Sequence, residues 1–247
     1  MQNVVLVENV DTEAELDRLA DHYRSAGGVG VKLLNKLGGS AESLLEQLPE
    51  PVRNGLTGAT EQALWLAMHA AEGSRRAVPD QQPWVNTALT TAMGAAGGLG
   101  GVSTALMELP ATTAMLLRAI QGAAAREGFD PSAENVKFDC VRVLSAAGPL
   151  SHDDGADLGF FSVRLTLTGP AMQRLIAAVA PRFSIVLGQK LAAQSVPVLG
   201  ALAGGGTNYV YTRYYQQIAR VHFGLRRLAI DADIPHEDLA RRLSARM

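Results

Sequence analysis

The chain contains 247 residues, and its formal net charge at pH 7 is only −2. Apolar residues make up 47% and charged residues 19%, below the roughly 25% charge that is usual in globular domains. Part of the surface is therefore expected to be buried or to meet an apolar partner, and such a nearly neutral chain lacks the electrostatic footprint of a nucleic-acid binder.

The single cysteine and the first residues bear on location. Cys140 cannot form a disulfide within one chain, and its apolar neighbours favour a buried, small hydrophobic side chain. Residues 1–8 lack the basic region and the long apolar run of a signal peptide. We therefore expect a cytoplasmic location, with peripheral attachment to the inner membrane as a further option.

Helical patterns cover the first third of the chain. Apolar residues recur at helical spacing over residues 11–26, and residues 52–72 predict one longer helix that carries Trp65. Two short segments between them, 29–37 and 40–48, end at a glycine pair and near two prolines.

A polar, proline-containing connection at residues 73–83 predicts an internal boundary. It would separate an N-terminal helical subdomain, residues 1–80, from a helical core, residues 81–247.

Two segments without any charge lie in that core. Residues 81–107 and residues 191–212 are both apolar and interrupted by glycines, and each leads into an amphipathic helix. The first run is long enough to span a bilayer, but its glycines and hydroxyl residues weaken that interpretation. We favour close packing of the two segments through small residues, with helix association in a membrane as the alternative.

The remaining elements are predicted mostly as helices. The patterns predict helices over residues 110–127, 130–147, 172–180, 182–196, 208–230 and 236–245. Residues 160–168 alternate like a strand, but no second convincing strand is available to pair with them, so we favour a helix there. The predicted fold is all-α: a single compact multi-helix domain with two central Gly-rich apolar helical segments.

Two blocks of sequence carry a family resemblance. The first runs from Gly94-Ala-Ala-Gly-Gly-Leu-Gly-Gly to Glu108-Leu109-Pro110, and the second from Ala193 through Pro197 to His222-Phe223-Gly-Leu-Arg226. In this order and spacing they resemble the EcsC family, over residues 84–230. The family is bacterial and helical, and it is named after an operon that also encodes an ABC transporter. The resemblance implies a helical fold and a transporter component as one candidate partner, but no particular reaction.

Five polar residues form a candidate ligand-binding pocket. Glu108 interrupts an apolar stretch, so its carboxylate must be paired, hydrogen-bonded or protonated. Arg118 is the natural candidate partner, but about 15 Å separates it from Glu108 along one helix, so we expect the partner of Glu108 to come from another part of the fold. Asn208, Tyr215 and His222 recur every seven residues and share one helix face.

These residue types suit more than one role. They are typical of a buried polar network that fixes two helices in register, of a site for a ligand head group, and of general acid-base chemistry in a hydrolase-type enzyme. The histidines show no metal-binding spacing and the glycines no nucleotide-binding motif, so we expect neither a metal nor a cofactor.

Four arginines form a candidate membrane-contact surface: Arg213, Arg220, Arg226 and Arg227. They alternate with aromatic residues along the helix predicted over 208–230, and such a face can meet anionic lipid. The alternative is a solvated face balanced by nearby acidic residues.

Three functions follow as hypotheses. The first is a non-enzymatic protein that attaches peripherally to a membrane or binds a lipid or another apolar ligand. The second is a hydrolase-type enzyme that uses a buried Glu/His pocket. The third is a protein-protein adaptor for a transporter.

Overall fold

The computed structural model describes residues 10–28, 45–46, 48–77, 87–88, 91, 109–146, 148, 171–194 and 200–247. Seven helices lie wholly within them: α1 (Thr12–Ala26), α2 (Glu50–Ala77), α3 (Leu109–Arg126), α4 (Glu134–Val143), α5 (Ala171–Gln194), α6 (Gly200–Asp231) and α7 (His236–Ser244). The described residues contain no strand. The predicted all-α class is therefore confirmed.

Most helix ends follow local sequence signals. α1 begins after Asp11, whose carboxylate accepts hydrogen bonds from the backbone N–H groups of Glu13 and Ala14, both at 3.1 Å. α3 has Pro110 in its first turn, where a missing N–H costs no helical hydrogen bond. α4 begins later than predicted, because Asp130 accepts from the N–H of Ser132 at 2.8 Å and forms a turn there.

The helix α5 differs from the sequence prediction. Residues 172–180 and 182–196 were expected to form two helices separated at Pro181, but one helix runs through the proline. Pro181 and Ala177 lie on the exposed side of the helix, so the carbonyl that loses its hydrogen bond can be solvated. The interruption is thereby absorbed within a single continuous helix.

The helices share one core. α1 packs on α6, α2 packs on α3 and α5, and α3 and α5 both pack on α6. Two glycines permit close approach: a Cβ at Gly224 would lie 2.6 Å from Leu19 Cδ2, and one at Gly188 would lie 2.7 Å from Leu56 Cδ2. Both helices that precede residue 80 contribute to this core, and the boundary predicted at residues 80/81 stays a prediction.

Other sequence predictions fall on parts of the chain outside the described residues. These are residues 29–37, most of 40–48, most of the first glycine-rich segment (81–107), and 160–168. The second glycine-rich segment is described at residues 191–194 and 200–212, which are helical. Within the described part of the chain, one helical stretch, Ala171–Ala192, is long and apolar enough to cross a membrane by length and composition, although 72% of its most apolar window is buried inside the fold.

Candidate functional site

The three predicted pocket residues of α6 are buried but spread out. Asn208, Tyr215 and His222 are 2%, 0% and 3% exposed. Because α6 is continuous from Gly200 to Asp231, His222 follows Asn208 by fourteen positions and lies about 21 Å farther along the helix, at about 1.5 Å per residue. The three residues therefore do not form one small pocket: a ligand head group of the kind predicted from the sequence would contact either the Asn208 end or the His222 end.

At the C-terminal end, His222 belongs to an ionic cluster that links α6 to α4. The guanidinium of Arg226 donates a hydrogen bond of 2.6 Å to Oδ2 of Asp139, and Nε2 of His222 lies 3.6 Å from the same oxygen. The ring of Phe129 lies under the guanidinium of Arg226, 4.6 Å from its Cζ, and contributes a cation–π contact. Asp139, His222 and Arg226 are called the α4–α6 ion cluster below.

Electrostatics favour the charged form of Asp139. Burial alone would raise the pKa of its carboxyl group, but the His222 imidazole and the Arg226 guanidinium outweigh burial and lower this pKa below its usual value. Sequence reasoning missed Asp139. The available signal was a lone acidic residue between Phe138 and Cys140, both of which are buried in α4.

At the opposite end of α6, the helix pairs with the C-terminal end of α5. Only residues 195–199 join the two helices, and the rings of Phe183 and Tyr215 lie 6.1 Å apart, so the helices run antiparallel. Lys190 follows Phe183 by seven residues and Asn208 precedes Tyr215 by seven. Both therefore lie about 10 Å from this ring pair toward the connection.

A buried set of polar residues occupies that end: Gln189, Lys190, Thr207, Asn208 and Tyr211, each at most 3% exposed. We call them the hairpin cluster. Three of their polar atoms, Gln189 Oε1, Thr207 Oγ1 and the Tyr211 hydroxyl, have no hydrogen-bond partner among the described residues. Burial raises the pKa of Tyr211 far above its ordinary value, so its hydroxyl keeps its proton.

α3 adds further polar groups to the interior. Thr113, Arg118 and Gln121 are 0%, 6% and 2% exposed, and α3 packs on α6. Thr113 Oγ1 and Gln121 Oε1 also lack a hydrogen-bond partner within the described ranges. Buried polar atoms are nearly always hydrogen-bonded to protein, water or ligand. The interior therefore has polar atoms that can form hydrogen bonds beyond those that the described side chains supply.

The other candidate residues are placed as follows. Glu108 lies outside the described residues. The Tyr215 hydroxyl donates a long hydrogen bond of 3.5 Å to the carbonyl oxygen of Leu144, so it belongs to neither end of the row. No group of three metal-ligating side chains exists among the residues that the structure describes.

The four arginines proposed for membrane contact differ in their surroundings. Arg213 and Arg227 are exposed and Arg220 is half-buried. Arg227 forms a 2.7 Å ion pair with Asp231 of the same helix, and Arg226 belongs to the α4–α6 ion cluster.

These features define an all-helical domain whose longest helix carries two separate buried polar clusters. The model of the EcsC protein family matches residues 31–228, and the chain belongs to that family. The family resemblance of the sequence is thus confirmed over most of the chain. No curated protein and no solved structure matches it significantly.

Proposed function

We propose that the protein binds an anionic amphiphile, such as a lipid, with the polar head group in the hairpin cluster, and that it does so at the cytoplasmic face of a membrane. The observation that carries the proposal is a set of three buried polar atoms that lack a partner among the described residues: the hydroxyls of Thr207 and Tyr211 near the N-terminal end of α6 and the amide oxygen of Gln189 near the C-terminal end of α5. The proposal extends the first hypothesis from the sequence and names the end of α6 that would hold the ligand.

The chemistry of the cluster suits an oxyanion. The hydroxyls of Thr207 and Tyr211 are donors, and the ammonium group of Lys190 supplies positive charge in a dry environment. Leaving a buried polar group without a partner costs about 1–3 kcal/mol. Phosphate or carboxylate oxygens would offset that cost at the two hydroxyls, whereas the amide oxygen of Gln189 is itself an acceptor.

The surroundings suit an apolar tail. α5 and α6 bury aliphatic and aromatic side chains, including Leu187, Leu191 and Val210. The stretch Ala171–Ala192 has a mean hydropathy of 1.3 over its most apolar window. A ligand that enters between these helices would meet a polar end and an apolar wall, the usual composition of a small-molecule site.

The test is the removal of the Lys190 charge. Lys190→Met keeps most of the side-chain stem, and Lys137→Met on the half-buried side of α4 is the matched control. Native mass spectrometry should show lipid retained by the wild type and by Lys137→Met, and at least tenfold less lipid on Lys190→Met. Purified wild type that carries no lipid, and gains no thermal stability from anionic short-chain lipid, overturns the proposal.

One observation favours a second candidate, the hydrolase-type enzyme. His222 lies beside the Asp139 carboxylate, and a carboxylate that orients an imidazole is part of many general-base sites. The Glu108 pocket assumed from the sequence is not needed for this version. Hydrolysis of ester substrates that is lost in His222→Gln but retained in Lys190→Met would favour the enzyme over the lipid-binding protein.

A further inference from the structure

A surface formed by α2 and α5 differs from the arginine-rich face of α6. The two helices pack together, with the Oγ atoms of Thr57 and Ser184 3.3 Å apart. Nearer the N-terminus of α5, an open groove of about 420 Å³ lies between them, lined by Glu61, Trp65, Gln173, Arg174 and Ala177. Contacts at both positions show that the helices run antiparallel.

The exposed side of α5 is short in polar groups and has no acid. Its exposed residues are Gln173, Arg174, Ala177, Ala178, Pro181, Arg182 and Ile185. Ile185 is 49% exposed, and on α2 Leu66, next to Trp65, is 51% exposed. These α5 residues with Trp65 and Leu66 are called the α2–α5 face.

We propose that the α2–α5 face is the surface that rests on an anionic bilayer. This inference rests on the proposed function, because it names the part of the molecule that makes the peripheral membrane contact. The charge pattern favours this partner: the exposed side of α5 carries two arginines and no acid, against the one carboxylate of Glu61 in the groove, and an anionic lipid surface attracts arginines that stand among apolar residues.

The side chains match the depth profile of a membrane interface. Trp65 is half-buried at the edge of the groove, and tryptophan side chains favour the head-group level. Leu66 and Ile185 would enter the acyl boundary, while the stems of Arg174 and Arg182 keep their guanidinium groups among the phosphates. Because most of the apolar window of α5 is buried inside the fold, the helix would lie along the surface.

Two of the α6 arginines take part in ion pairs within the protein. Arg226 is held by Asp139 at 2.6 Å, and Arg227 is held by Asp231 at 2.7 Å. Their charges are already compensated within the protein. Arg213 is exposed, so it provides the control for charge on the other face.

Vesicle co-sedimentation of the full chain tests the assignment, with phosphatidylglycerol vesicles and phosphatidylcholine vesicles as the two surfaces. The double variant Arg174→Glu/Arg182→Glu should reduce partitioning onto phosphatidylglycerol vesicles at least tenfold, and Leu66→Ser/Ile185→Ser should reduce it severalfold. Arg213→Glu and Ile230→Ser are the matched charge and apolar controls, and both should bind like the wild type. Circular dichroism verifies that each variant is folded.

The outcomes separate this inference from the proposed function. Three outcomes overturn the assignment of the face: an equal loss of vesicle binding in Arg213→Glu, unchanged vesicle binding in the α2–α5 variants, or no vesicle binding by the wild type. Lipid retention that still depends on Lys190 leaves the proposed lipid binding standing in each of those cases, although a wild type that binds no vesicles removes the proposed membrane contact. Absence of both lipid retention and vesicle binding removes the two together.

Discussion

The two ends of α6 differ in how their buried polar groups are paired. At the C-terminal end, the carboxylate of Asp139 and the guanidinium of Arg226 place opposite charges against each other. At the N-terminal end, Thr207 and Tyr211 bury hydroxyl groups without a hydrogen-bond partner among the described residues. A polar group that is satisfied within the protein adds stability and specificity, whereas an unsatisfied one lowers stability unless a ligand or water pairs with it. The proposed function therefore assigns the ion pair to stability and the two hydroxyl groups to ligand binding.

The largest expected effect is at the satisfied end. Asp139→Asn leaves the guanidinium of Arg226 without its charged acceptor. We expect a loss of about 2 kcal/mol of unfolding free energy, the range for a hydrogen bond to a charged group. Urea unfolding followed by circular dichroism measures it. Asp231→Asn, which disrupts the exposed pair with Arg227, is the control and should change little.

The difference in unfolding free energy between wild type and Asp139→Asn should depend on pH in a definite direction. The pKa of Asp139 is lowered in the folded protein, so its contribution is present above the unfolded-state pKa of about 4 and declines as the pH falls through the lower, folded-state value. Wild type and Asp139→Asn should therefore differ fully at pH about 6 and converge toward pH about 2. A difference that grows with acidification would contradict the assigned ion cluster.

A smaller effect separates two glycines of α6. Gly224 contacts Leu19 of α1 so closely that an added Cβ would lie 2.6 Å from Cδ2, whereas a Cβ at Gly206 meets nothing within 4 Å. Gly224→Ala should cost about 1 kcal/mol net, since overpacking outweighs the gain in helix propensity. Gly206→Ala should stabilise by about 0.5–1 kcal/mol. Thermal unfolding of both variants gives the comparison directly, and equal shifts would contradict the close packing of α1 on α6.

The sequence predicted the helices better than the contacts between them. The predicted helix over 110–127 closely matches α3, since capping and apolar period are local properties. The break predicted at Pro181 was wrong, because solvent exposure of that helix side is a tertiary property. The seven-residue recurrence identified the buried face of α6, but sequence spacing alone did not reveal that Tyr215 of this face meets Phe183 of α5. That contact depends on how α5 and α6 pack together.

Tyr211→Phe tests the unsatisfied end with a smaller and opposite effect. Removing a buried hydroxyl that lacks a partner among the described residues should raise the unfolding free energy of ligand-free protein by up to about 1 kcal/mol, because its desolvation is no longer incurred. The same variant should retain less lipid than the wild type. Tyr215→Phe is the control, since its hydroxyl already donates to Leu144, and it should gain no stability. Destabilisation by Tyr211→Phe in delipidated protein would indicate that the hydroxyl is satisfied within the fold.

The smallest effect is expected at the surface clamp between α1 and the C-terminus. Glu13 pairs with Arg242 and Arg246, and Arg246 also donates to Asp17 at 2.9 Å. The Glu13 side chain is 60% exposed, so solvent and salt screen both ion pairs. Glu13→Gln should lower the unfolding free energy by less than about 1 kcal/mol, and the difference should vanish in about 1 M salt, where the Debye length is about 3 Å. Asp139 is much less exposed than Glu13, so the effect of Asp139→Asn on the unfolding free energy should persist at that salt concentration. The ratio of the two effects would then measure how far burial of the α4–α6 ion cluster stabilises its end of the fold.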